Sequence, residues 1–216
     1  MTDNRASGIA LIAGSAALII TMAFHPGGHE MMSPDRFDAV ARLSIVVHSL
    51  ALVSMVVLFL GVCGLWKWLS PSRHLALAGL VTYSFGTIAG MVTGILNGFV
   101  APRLIHRMLT QPEAKQVWEI ALTYSSELER PLAQVLVVAS STAILLWSIA
   151  IIRRSLLARG LGIYGCIVAP SIVIAVVSSH IRLNVHGFGM VVLLQTIWFV
   201  IAGVQLLQVK EVKQAV

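Results

Sequence analysis

Imidazole, carboxylate and thioether side chains collect toward one end of the apolar segments of this sequence. Together they suit zinc or copper. Of its seven histidines, His25, His29, His48, His106, His180 and His186 fall on or near one side of those segments, and His74 on the other. Glu30, Met31, Met32, Met108, Glu127 and Glu129 share the first side. The densest patch is His25-Pro26-Gly27-Gly28-His29-Glu30-Met31-Met32. A His-x-x-x-His spacing aligns two rings only on a helix, and Pro26-Gly27-Gly28 opposes one there. The six histidines are therefore candidate metal ligands, and an interfacial, ligand-free role stands beside that reading.

His48 is the most informative of them. It lies about five residues inside an apolar run, roughly 8 Å below its end at 1.5 Å per residue. An ionisable group at that depth is costly and faces a bundle interior or a wet cavity. Ser44 precedes it by one turn, and Asn97 and Gln134 lie at comparable depth in other runs. His180 and His186 bracket a very short connection. Ser44, His48, Asn97, Gln134, His180 and His186 thus form a candidate polar layer. It is either a hydrogen-bond network fixing helix register or a ligand pocket open to one side. A single b-type haem would need two imidazoles at similar depth, His48 with His180 or His186. No matching pair exists at the opposite end, so an electron relay across the membrane is not expected.

Other catalytic constellations are missing. The sequence has no G-x-S-x-G elbow, H-E-x-x-H, Walker loop or C-x-x-C-H, so no catalytic residue is assigned. Ser140, Ser141 and Thr142 read as residues bonding back onto their own helix. Cys63 and Cys166 form no C-x-x-C pair and read as small apolar side chains.

The elements that must position these groups follow from composition. In 216 residues, 57% are hydrophobic and 11% charged, with a mean hydropathy of +0.89. Soluble domains carry about 25% charged residues, so a soluble enzyme, a disordered regulator and a disulfide scaffold are excluded. Apolar runs at about 7–24, 43–66, 75–101, 131–152, 160–179 and 187–208 contain no Asp, Glu, Lys or Arg. Each can cross ~30 Å of hydrocarbon. The first lacks the basic start and cleavage site of a signal peptide and is expected to be a retained span. The fold expected is an all-α polytopic membrane helix bundle, a single domain over 1–216, with six spans and one outer amphipathic helix.

That outer helix falls in 102–130. Thr110-Gln111-Pro112-Glu113 reads as a capping box. Val117, Ile120, Ala121, Tyr124 and Leu128 form one apolar stripe, and Pro131 reads as the break before the fourth span. In the third span, Gly86, Gly90, Gly94 and Gly98 present a smooth face on which another helix can pack closely. Pro170 could kink the fifth span, but no matching interruption suggests an inverted repeat.

Basic residues are about twice as dense in the loops holding Arg5, Lys67, Arg73, Arg153, Arg154, Arg159, Lys210 and Lys213 as in those holding Arg36, Arg42, Arg103, Arg107, Lys115, Arg130 and Arg182. This predicts cytoplasmic termini in a bacterial inner membrane. The net charge of +6 points to lipid head groups and not to nucleic acid. The expected partners are the bilayer, and a second copy or a membrane partner subunit. Three functions follow in order: a non-catalytic accessory or scaffold protein; a protein binding a small molecule or metal in an outward polar pocket; and a membrane redox protein with one outer haem or metal.

Overall fold

An apolar run without ionisable groups can satisfy its backbone in lipid only by pairing within itself, as a helix. The structure, a computed structural model, describes residues 3–26, 33, 35–69, 72–154 and 159–208. Every regular element among them is helical. In order they are α1 (Asp3–Ala23), α2 (Phe37–Trp68), α3 (Arg73–Ile95), a π-helical turn (Leu96–Val100), α4 (Ala101–Thr110), a 3-10 turn (Pro112–Ala114), α5 (Lys115–Arg154), α6 (Arg159–Val177) and α7 (Val185–Gln208). Six helical stretches are long and apolar enough to cross a membrane. The chain is thus an all-α bundle suited to a bilayer.

The helices close into a ring in the order α1, α2, α3, α5, α6, α7 and back to α1. Lipid offers no hydrophobic drive for this, so close backbone approach and dispersion must hold the ring. Gly14 and Gly61 seat α1 on α2 at Leu58 and Leu11, and Gly8 meets Gly203 between α1 and α7. On α3, Gly86 and Gly90 face Ala139 and Leu136 of α5, while Gly94 and, in the π-helical turn, Gly98 face Leu52 and His48 of α2. The four glycines therefore serve two neighbours within the chain. Inside the ring, Trp147, Trp198, Phe199 and Tyr83 stack with centroids 5.4–6.4 Å apart. Their indoles are satisfied: Trp147 Nε1 donates to the Ala76 carbonyl at 3.2 Å and Trp198 Nε1 to Ser148 Oγ at 3.0 Å. Gly79 and Gly165 leave room for these two rings.

Helix lengths are unequal, and this shapes the molecule. A bilayer core needs about 20 residues. α1, α6 and α7 have 21, 19 and 24, whereas α2 has 32 and α5 has 40. α1 ends level with His48 of α2, because His25, just beyond α1, lies against that ring. Among the described helices, α2, α4 and α5 continue past this level. They enclose a second small core of Phe37, Val40, Ala41, Ile105 and Met108, covered by Trp118 and Leu122. We call this part the headpiece. Outside lipid, hydrophobic burial does operate, at ~1.5–3 kcal/mol per large buried side chain.

Three expectations about this region are corrected. The outer helix is not separate from the fourth span: α5 runs unbroken through Pro131. A proline removes one backbone bond, but the packed turns on either side carry the helix across it. The capping box does not form. Thr110 Oγ1 bonds back to the His106 carbonyl at 2.9 Å, and the α4–α5 junction uses a 3-10 turn instead. The packed face is also different: Trp118, Leu122 and Ser125 turn inward, while Val117, Ile120, Tyr124 and Leu128 are exposed. The inward row matches α4, whose Pro102, Ile105 and Met108 face it at helical spacing.

Candidate functional site

The polar layer sits where the six-helix ring meets the headpiece. It is built around the π-helical turn, which inserts one extra residue per turn and re-aims side chains. Gly98 in that turn lets α3 close onto α2, since a Cβ there would overlap His48 Cβ. Its neighbour Asn97 turns to α5, where its side chain lies beside Glu129. One turn thereby ties α2 and α5 together at a single height.

His48 is buried, 6% exposed, yet its ring is not idle. Its Nδ1 lies 2.8 Å from the Ser44 carbonyl and 3.4 Å from Ser44 Oγ. The carbonyl can only accept, so Nδ1 carries the proton in the neutral ring and Nε2 carries the lone pair. His25 repeats this arrangement, with Nδ1 donating to the Pro26 carbonyl at 3.0 Å. The two imidazoles meet edge to face with centroids 5.0 Å apart at an interplanar angle of 68°. Burial pushes the pKa of His25 below the ordinary histidine value, and the bond to Pro26 opposes that only in part. His25 is therefore held neutral near pH 7.

The expected pocket is not assembled as one site. Ser44, His48 and Asn97 lie in the layer, joined by His25 and Glu129. Gln134 is exposed on α5, one turn past Pro131. His180 and His186 are exposed on the α6–α7 connection, where His180 Nδ1 pairs with Ser178 Oγ at 2.7 Å. α7 packs on α1, α5 and α6, and the ring that meets His48 is that of His25. His106 is in the headpiece, stacked on Phe37 at 5.6 Å. His29 lies outside the described residues. Among those described, no three His, Cys, Asp or Glu side chains gather as metal ligands would.

Two polar groupings escape the sequence reading. Gln195 Nε2 donates to Ser140 Oγ and Ser141 Oγ, each at 2.9 Å, in the middle of the ring. The signal was an amide inside an apolar run, which needs a partner in lipid. Ser140 and Thr142 also bond back to the Leu136 and Val138 carbonyls, as expected of them. The other grouping is Arg107 over the Trp118 ring at 4.8 Å. Neither residue pair is close in sequence, so only the folded hairpin reveals it. Comparison of the chain with protein-family models, curated proteins and solved structures returns no match.

Proposed function

We propose that this chain is an accessory or scaffold protein of a bacterial inner membrane, without a catalytic centre of its own. Its termini are cytoplasmic and its headpiece lies on the opposite side, supported by the density of Lys and Arg in the short loops. One observation carries the functional reading: the polar groups of the layer are spent on holding helices together. His48 bonds its own helix and fills the space opened by Gly98, and Asn97 sets its amide beside Glu129 of α5. The headpiece then serves as the part that meets a partner.

A second reading is favoured by the histidine pair. Backbone carbonyls hold both Nδ1 protons, which leaves two Nε2 lone pairs for a zinc or copper ion. The purified protein separates the two readings by its visible spectrum and metal content. The scaffold reading expects a colourless, metal-free protein in which His48→Ala lowers only thermal stability. Stoichiometric zinc or copper, or a Soret band, lost in a folded His48→Ala variant would overturn it.

A further inference from the structure

A groove of about 510 Å³ runs along the base of the headpiece between α2 and α4. We propose that it holds one anionic phospholipid of the surrounding bilayer, with an acyl chain in the groove and the headgroup phosphate on Arg103 and Arg107. This stands apart from the scaffold reading and needs only that the six helices cross a membrane.

Position is the first argument. Ala41, Ile45 and Phe99 form the floor. Ile45 lies less than one turn beyond His48, and Phe99 directly follows Gly98. The groove therefore starts at the level where α1 stops and α2 leaves the ring, beside the lipid surface. Ile45 is 41% exposed, so the floor is open to lipid on its flank.

Charge is the second. Arg103 and Arg107 stand one turn apart on α4, and both line the groove with His106. All three are exposed. Among the described residues, no acidic side chain lines the groove. Among the described residues the ion pairs are Lys115–Glu119 and Arg130–Glu127, so neither groove arginine is neutralised by one. Arg107 is also steadied over Trp118. Two guanidinium forks above an apolar floor match a phosphate attached to a hydrocarbon chain. The volume falls in the ~300–1,000 Å³ range of small-molecule sites.

The test is native mass spectrometry of the full chain in detergent micelles, with phosphatidylglycerol and phosphatidylcholine of equal chain length added together. The wild-type protein is expected to retain one phosphatidylglycerol with at least tenfold preference. The Arg103→Gln/Arg107→Gln variant should lose that preference, with its helical circular dichroism unchanged. Arg130→Gln, a cation away from the groove, should keep it. If removing Arg107 from Trp118 unfolds the headpiece, Arg103→Gln alone should still cut the preference several-fold. Equal retention of the two lipids by folded wild-type protein overturns the proposal. Displacement of phosphatidylglycerol by equimolar inorganic phosphate overturns the lipid assignment, because the site would then be reading the anion alone.

Discussion

Gly98 and His48 are a matched pair, and the match is measurable. A methyl at position 98 has nowhere to go but into His48 Cβ, which is fixed by its own backbone and cannot swing aside. Overpacking of this kind costs ~1–3 kcal/mol. Gly98→Ala should therefore lower the melting temperature by several degrees, and His48→Gly, which removes the opposing Cβ, should recover part of the loss in the same chain. Additive losses from the two changes in a double-mutant cycle would show that the contact is not shared. His25 makes a pH-dependent contribution. Its folded pKa lies below the unfolded value, so its stabilising effect is complete above about pH 6.5 and is lost as pH falls through the folded pKa. Acidification from pH 7.5 to 5 should destabilise the protein, and His25→Gln should flatten that dependence. At this scale the sequence was a partial guide. The depth of His48 is legible because a buried imidazole within an apolar run is rare. Its neighbour His25 is not, because the meeting depends on where α1 ends against α2.

Among the elements, the spans are legible because lipid enforces an uninterrupted run of apolar residues on each. The headpiece is less so. Its helices obey a different rule, with one buried face and one wet face, and they join the spans without a break. Hydropathy sees the change of solvent and reports an end where the helix in fact continues. The inward row of α5 was missed for a related reason. Val117, Ile120, Tyr124 and Leu128 are as apolar as Trp118 and Leu122, and only α4 decides which row is covered. Since the headpiece has its own core, it should come apart by itself. Met108→Asp buries an unpaired carboxylate in that core. We expect trypsin to cut such a variant at Arg103, Arg107 or Lys115, while in a Trp118→Phe background the emission of the remaining tryptophans, all on the ring, keeps its wavelength. Loss of both together would mean that headpiece and ring unfold as one unit.

For the whole molecule, the closed ring places the headpiece at the end opposite to the start of α1 and the end of α7. A Thr123→Cys substitution, exposed on α5, should be shielded from an impermeant maleimide in sealed inverted vesicles but labelled in intact spheroplasts, and a reporter after Val216 should read cytoplasmic. Labelling in the inverted vesicles would break the proposed topology. Ring order itself was not legible, because glycine, serine and alanine faces occur on most of the helices and several pairings satisfy them. The hairpin formed by α3, α4 and α5 carries a mechanical consequence. Its two arms keep one antiparallel register from Gly79 against Trp147, through Asn97 at Glu129, to Arg107 at Trp118. In that register Pro131 stands across from the start of the π-helical turn. Each arm thus has its weakest section, a missing or lengthened hydrogen bond, at the same height. A rod notched on both sides at one point bends there and stays straight elsewhere. A sideways load on the headpiece should therefore bend the hairpin at this height before it reaches the ring.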